Sequence, residues 1–270
     1  MSKNPNRVRG AAGRKLLLGV VHLQALPSAA RHRSMTEVLE RALADGHALA
    51  AGGVDGLVVE NFGDAPFRRG DAEDPNTPDV PAALAVVGDR LRAATGLPIA
   101  INCLRNDGVA ALGAAAACGA RWIRVNVLTG ACVTDQGLIA GEAARLFAYR
   151  RQLHSSVEVL ADFLVKHAAP LAPVAIADAA KDLAERSGAA GLVLSGSRTG
   201  APVDVALLDT VRQAVGRFPI WIGSGLTPQN AAQLWPRCDG AIVGTACKRG
   251  GCVDAPVDPD RVRALRQACE

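Results

Sequence analysis

Apolar and polar residues follow a repeating pattern of two kinds of segment along this chain. Short runs of β-branched and other apolar residues, typical of buried strands, are separated by longer alanine-rich stretches with helical spacing. These runs predict eight strands, at residues 15–22, 56–61, 98–102, 122–127, 157–163, 191–195, 219–223 and 239–243. Because each strand is followed by a helical stretch, the pattern predicts a parallel sheet with helical crossovers.

The number of strand–helix units favours a closed barrel over an open sheet. An open doubly wound sheet usually carries a Gly-x-Gly-x-x-Gly turn after its first strand, whereas residues 23–27 here read Leu-Gln-Ala-Leu-Pro. A barrel of eight strands needs about 250 residues, which accounts for a chain of 270. We therefore predict one α/β domain, a (β/α)8 TIM barrel at residues 15–270, after a short disordered basic tail at residues 1–14.

Composition excludes several classes of protein. Hydrophobic residues make up 49% of the chain but aromatic residues only 3%, so the core is built from Ala, Val, Leu and Ile. The basic tail lacks the apolar stretch of a secretory signal, and no segment has the roughly 18 apolar residues of a membrane span. We expect a cytoplasmic protein that is not transmembrane, with peripheral contact to a membrane complex and homo-oligomerisation left open.

Two further absences bear on ligands. Basic residues are not interleaved with aromatic ones, which argues against nucleic-acid binding. The seven cysteines form no Cys-x-x-Cys pair, which argues against a disulfide framework and a structural metal. We expect no metal and no cofactor.

Polar residues stand at the ends of most predicted strands, where barrel enzymes place their active groups. Those of the first five strands are His22, Glu60, Asn61, Asn102, Asn126 and Asp162, with Lys166 and His167 just beyond. We assign His22, Glu60, Asp162 and Lys166 as candidate catalytic groups, and Asn61, Asn102, Asn126 and His167 as candidate ligand contacts. His22 is suited to acid–base chemistry because imidazole titrates near neutrality. For Lys166 two roles stay open, a Schiff-base nucleophile and a charge that neutralises a phosphate or carboxylate.

The fourth strand points an arginine into the barrel. With a period of two, residues 123, 125 and 127 face the helices, while Trp122, Arg124 and Asn126 face the lumen. A buried guanidinium needs a partner, and Glu158 and Asp162 on the next strand are available. Arg124 is therefore either part of a structural ion pair or an anion contact for a ligand.

Glycine-rich segments follow the last three strands. The predicted ligand contacts there are Ser195, Gly196, Ser197, Gly223, Ser224, Gly225, Gly244 and Thr245. Glycine lets backbone amides approach an anion closely, and many barrels hold a phosphate at the last two of these loops. The alternative is that glycine serves only tight turns. If the loops bind phosphate, Gly223→Val or Gly244→Val is expected to abolish binding with little loss of fold.

These same residues carry a family resemblance that runs from about residue 15 to 265. The chain resembles the BtpA/SgcQ family in Gly19-Val20-Val21-His22-Leu23, Glu60-Asn61-Phe62-Gly63-Asp64, Arg124-Val125-Asn126, Thr134-Asp135-Gln136-Gly137, Lys166-His167-Ala168 and the glycine loops. The resemblance implies a barrel and, in one lineage, a role in photosystem I biogenesis. It implies no particular reaction.

Two functions follow as hypotheses. The first is an enzyme, a lyase or isomerase that binds a small phosphorylated, sugar-like metabolite. The second is a non-catalytic biogenesis factor for photosystem I or another membrane complex. Two long segments, residues 62–79 and 128–141, are candidates for covering the site in either case.

Overall fold

The computed structural model describes residues 13–196 and 200–270. The predicted basic tail lies outside this part except for residues 13 and 14, and the predicted ligand contact Ser197 lies outside it as well. Where the described chain begins, the Arg14 side chain forms an ion pair with Asp55.

Eight parallel strands close into a barrel. They are β1 (Leu16–His22), β2 (Gly56–Glu60), β3 (Ile99–Asn102), β4 (Trp122–Val125), β7 (Glu158–Phe163), β9 (Gly191–Leu194), β10 (Ile220–Ile222) and β11 (Gly240–Val243). Around the barrel they follow the order β1-β11-β10-β9-β7-β4-β3-β2. Each matches a predicted strand to within two residues at either end, so the sequence pattern predicts the barrel correctly.

Helices surround the sheet. They are α1 (Met35–Ala51), α2 (Asp79–Thr95), α3 (Gly108–Cys118), α4 (Ala143–Gln152), α5 (Ile176–Arg186), α6 (Val205–Val215), α7 (Ala231–Leu234) and α8 (Pro259–Ala268). Four begin at a polar cap, because the side chains of Ser34, Asp107, Asp204 and Asp258 accept a hydrogen bond from an amide of the first turn. Local sequence therefore determines where these helices start.

Two apolar cores lie on the two sides of the sheet. The larger one fills the space between strands and helices, and Ile123 and Val125 belong to it as predicted. The smaller one fills the lower barrel lumen and includes Leu18, Trp122 and Trp221. Above these side chains the lumen turns polar, which places the predicted site residues over an apolar floor.

A small antiparallel sheet covers part of the barrel mouth. Its strands are β5 (Ala131–Thr134), β6 (Gly137–Ala140) and β8 (Ala168–Pro170), in the order β6-β5-β8. The expected loop at 128–141 is therefore a hairpin. Ile139 packs beneath it against Val127 and Val165, while Val133 and Leu138 are exposed on its outer face.

Within the described ranges no helix has the length and apolar character needed to cross a bilayer. All seven cysteines are free thiols. No group of three or more His, Cys, Asp or Glu side chains that could hold a metal ion occurs among residues 13–196 and 200–270.

Candidate functional site

A cavity of about 740 Å³ opens at the carboxyl ends of the barrel strands. The predicted site residues that line it are His22, Glu60, Asn102, Arg124, Asn126, Lys166, His167, Gly223, Ser224, Gly225, Gly244 and Thr245. These residues come from positions spread over more than 200 residues of chain, and closure of the barrel brings them together.

The other predicted residues lie behind this wall. Asp162 is buried beneath Arg124 and Asn126, and Ser195 and Gly196 follow β9 without lining the cavity. The amide of Asn61 is committed elsewhere, since its Nδ2 donates to Asp64 and its Oδ1 accepts from the Leu104 N–H at 2.7 Å. The structure thus places Asn61 in a position where it holds two loops together.

One side of the cavity carries an imidazole, a carboxylate and an amide in a row. His22 Nε2 lies 3.8 Å from Glu60 Oε1, and Asn102 Nδ2 donates to Glu60 Oε2 at 2.5 Å. Burial, together with the positive charges of Lys248 and Lys166, lowers the pKa of His22 to about 4, against the opposing effect of Glu60. His22 is therefore neutral at pH 7, with one donor and one acceptor nitrogen.

Arg124 pairs with Asp162 in the lumen. The guanidinium donates to both carboxylate oxygens, with Nη2 at 2.9 and 3.1 Å, and Asn126 Nδ2 donates to the same carboxylate at 2.7 Å. Burial opposes the charged guanidinium, but Asp162 and Glu60 raise the pKa of Arg124 overall. Of the two partners expected, Asp162 is the one observed. Arg124 also lines the cavity, so the ion pair and a ligand contact are compatible.

Lys166 lies just after β7, in a segment of unusual backbone. Leu164 and His167 both have positive φ, at 53° and 58°, which side chains other than glycine rarely adopt. The Lys166 carbonyl accepts a hydrogen bond from Arg105 Nη2 at 2.7 Å. Burial, with the charges of Arg124 and Arg105, lowers the pKa of Lys166 despite the nearby Glu60 and Asp162.

The loops after β10 and β11 leave a set of amide groups unused. Within the described chain, the N–H groups of residues 224–226 and 244–246 donate to no acceptor, and all six residues line the cavity. Asn230 holds the first loop in shape, since its side chain accepts from Thr227 N–H and donates to the Gly225 carbonyl. In other proteins, successive free N–H groups in a turn conformation form concavities that bind anions.

Gly223 and Gly244 are required by their neighbours. Neither has positive φ. A Cβ at Gly244 would lie 2.5 Å from His22 Cε1, and one at Gly223 would lie 2.5 Å from Ser195 Oγ and from Val193 Cγ1. Valine at either position would therefore disturb packing as well as binding, which changes the expectation that the fold is spared.

Several buried polar atoms at the mouth have no partner within the described residues. They are His22 Nδ1, Asn102 Oδ1, Asn126 Oδ1, Ser195 Oγ and Ser224 Oγ. Such atoms cost free energy unless water or a ligand satisfies them. Four of these five residues line the cavity, as a polar ligand site requires, and Ser195 lies next to Gly223 in its wall.

Sequence reasoning missed three arginines in the cavity wall, Arg31, Arg105 and Arg261. None lies at a strand end. Arg261 belongs to α8 and donates through Nε to the Ala246 carbonyl at 2.9 Å, beside the unused amides. Asp135, on the hairpin turn, also lines the cavity, and the only signal for it in the sequence is the Thr-Asp-Gln-Gly run at 134–137.

Comparison with known proteins agrees with this architecture. The BtpA family model matches residues 13–270. The chain is 46% identical over 253 residues to the photosystem I biogenesis protein BtpA of a Synechocystis species, covering 93% of this chain and 87% of that protein. It is 43% identical over 253 residues to an uncharacterized protein of Thermococcus kodakarensis, covering 93% and 94%.

Two solved structures have a similar fold. KGPDC from Streptococcus mutans matches with a TM-score of 0.57 at 12% identity, covering 94% of this chain and 97% of that chain. N-(5'-phosphoribosyl)anthranilate isomerase from Pyrococcus furiosus matches with a TM-score of 0.53 at 14% identity, covering 94% and 98%. At such identities the likeness establishes the fold alone.

Proposed function

We propose that this chain, which belongs to the BtpA family, binds a small phosphorylated, sugar-like metabolite at the barrel mouth and acts on it as a lyase or isomerase. The observation that carries the proposal is the set of unused amide groups at residues 224–226 and 244–246. A phosphate accepts several hydrogen bonds at once, and these six residues line the cavity with N–H groups that no acceptor in the described chain uses.

Charge at the mouth supports an anionic ligand. The cationic side chains that line the cavity include Arg31, Arg105, Arg124, Lys166 and Arg261, and the acidic ones are Glu60, Asp135 and Asp254. Arg261 stands at the rim of the amide loops, where its terminal nitrogens remain for a phosphate oxygen once Nε has bonded to the Ala246 carbonyl.

The side of the cavity that carries His22 and Glu60 has groups suited to proton transfer. His22 and Glu60 are adjacent, and the neutral imidazole both accepts and donates a proton. Lyases and isomerases that act beside a carbonyl need such a group to move a proton, together with positive charge to stabilise the oxyanion. Arg124 supplies that charge in the same cavity.

The binding half of the proposal is tested by calorimetry with inorganic phosphate, ribose 5-phosphate and unphosphorylated ribose. We expect the two phosphates to bind and ribose not to bind. Arg261→Ala should weaken phosphate binding by about tenfold to a hundredfold, as expected for the loss of one charge-assisted hydrogen bond. Arg263→Ala is the matched control, because Arg263 lies on the same helix but outside the cavity. Equal affinities of the two variants would refute the phosphate site.

A second function, a non-catalytic biogenesis factor for a membrane complex, is favoured by the 46% identity to the photosystem I biogenesis protein BtpA. It would use an outer surface of the barrel and not the cavity. A His22→Ala, Lys166→Ala double variant separates the two functions. If this variant restores photosystem I accumulation in a deletion strain, the enzyme proposal fails, and a host genome without photosystem I genes removes the second function.

A further inference from the structure

Lys166 has an amine with no partner in the described chain. No hydrogen bond or ion pair involves its Nζ among residues 13–196 and 200–270, although Lys166 is only partly exposed to solvent and lines the cavity. A lysine that serves the fold pairs its ammonium with a carboxylate or carbonyl oxygen, because burial of an unpaired charge is costly. The position of Lys166 therefore calls for a role in the cavity.

The groups around Lys166 lower its pKa on balance, although the carboxylates of Glu60 and Asp162 act in the opposite direction. Burial lowers the pKa of Lys166 most, followed by the positive charge of Arg124, and the positive charge of Arg105 also lowers it. A free amine is a nucleophile and an ammonium is not. Arg105 also holds the Lys166 carbonyl, so the backbone that presents the amine is fixed.

The barrel order separates Lys166 from the amide loops and from His22. Lys166 follows β7, whereas the amide loops follow β10 and β11, two and three strands away around the barrel. The strand of His22, β1, stands diametrically opposite β7, four strands away. A ligand whose phosphate occupies the amide loops would thus place its carbon chain between the amine on one side and the His22–Glu60 pair on the other.

From this arrangement, and resting on the proposed function, we infer that Lys166 forms a Schiff base with the carbonyl group of a phosphorylated aldose or ketose. The Nζ lone pair attacks the carbonyl carbon, the carbonyl oxygen takes up a proton, and the resulting carbinolamine loses water to give the protonated imine. No oxidant or reductant is needed. The imine withdraws electrons from the neighbouring carbon, so that a proton on that carbon can pass to His22 or Glu60.

Borohydride trapping tests the inference. The full-length protein is incubated with dihydroxyacetone phosphate, glycolaldehyde phosphate or ribose 5-phosphate, reduced with sodium borohydride, and digested for peptide mass spectrometry. We expect a stable secondary amine at Lys166 with at least one of the three. Lys166→Arg should abolish the adduct, whereas Lys181→Arg, at an exposed lysine on α5, should not change it. The trapping rate should level off at a pH below 10.5, the ordinary pKa of lysine.

The two proposals fail in different ways. If inorganic phosphate binds in calorimetry but Lys166 carries no adduct after all three incubations, the Schiff-base inference is overturned and the phosphate site stands. The inference is equally overturned if adducts form only at Lys15 or Lys181. If Lys166 is trapped while inorganic phosphate does not bind, the amine chemistry stands and the phosphate site is lost.

Discussion

Lys248, which is buried, and Lys166, which is partly exposed, differ in what surrounds them. Lys248, after β11, is 1% exposed and its Nζ donates to Asp45 on α1 at 2.7 Å. The same carboxylate accepts the Val257 N–H at 2.8 Å and contacts Arg41. Lys166, at the cavity, has no comparable partner in the described chain. The first lysine completes a polar cluster that joins a helix to a loop, whereas the second lines the cavity.

His22 lies within the influence of both lysines. Each of them lowers the pKa of His22, in addition to the larger effect of burial. The paired lysine contributes a fixed positive charge next to the cavity, and the unpaired one faces the cavity itself. The counter-charge of Lys248 is thus part of the fold, whereas the proposed role of Lys166 depends on what the cavity binds.

The largest effect is expected at the paired lysine. Asp45→Asn leaves the Lys248 ammonium buried without a counter-charge and should lower the free energy of unfolding by about 3–5 kcal/mol. Urea unfolding measures this. Adding Lys248→Met should recover a large part of the loss, because no buried charge then remains and asparagine still accepts the Val257 N–H. A loss below about 1 kcal/mol for Asp45→Asn would show that the pair is not a structural element.

The next effect depends on pH and lies at His22. Its pKa is about 4 in the folded protein and near 6.5 when unfolded, so between these values the unfolded chain binds more protons. Stability should therefore fall by about 3 kcal/mol as pH drops from 6.5 to 4, at 1.36 kcal/mol for each unit of pKa difference. His22→Gln, which cannot titrate, should remove this part of the pH dependence in urea unfolding. An unchanged profile would contradict the buried, neutral imidazole.

The smallest effect on stability is expected at the unpaired lysine. Lys166→Met removes a desolvated amine and should leave the free energy of unfolding at pH 7 unchanged or raise it by up to about 2 kcal/mol. The pKa of Lys166 is lower in the folded protein than in the unfolded chain, so the unfolded chain binds more protons just below pH 10.5. The free energy of unfolding of the wild type should therefore increase relative to that of Lys166→Met as the pH rises to 10.5. If Lys166→Met clearly lowered the free energy of unfolding, Lys166 would stabilise the fold as Lys248 does, and the distinction between them would be contradicted.

Strands and strand ends could be predicted because they depend on neighbouring residues. The alternation of side chains along β4 is enough to predict that Trp122 and Arg124 point into the lumen. The residue at the end of each strand can be predicted from the same alternation. The hairpin at the mouth was missed because its two strands are four residues each and one exposes Val133 beside polar neighbours. An alternation of apolar and polar residues over only four positions does not distinguish a strand from a loop.

Local sequence alone specifies the elements of this barrel, which side chains point into its lumen, and which of them reach the mouth, since these depend on periodicity and on the direction of parallel strands. The partners of those side chains depend on the tertiary structure. Lys248 meets Asp45 across 203 residues of chain, Arg124 meets Asp162 across 38, and Arg261 reaches the amide loops from α8. Such pairings depend on how the closed barrel and its helices pack. No local pattern distinguishes a lysine that will find a carboxylate from one, like Lys166, that will face a cavity.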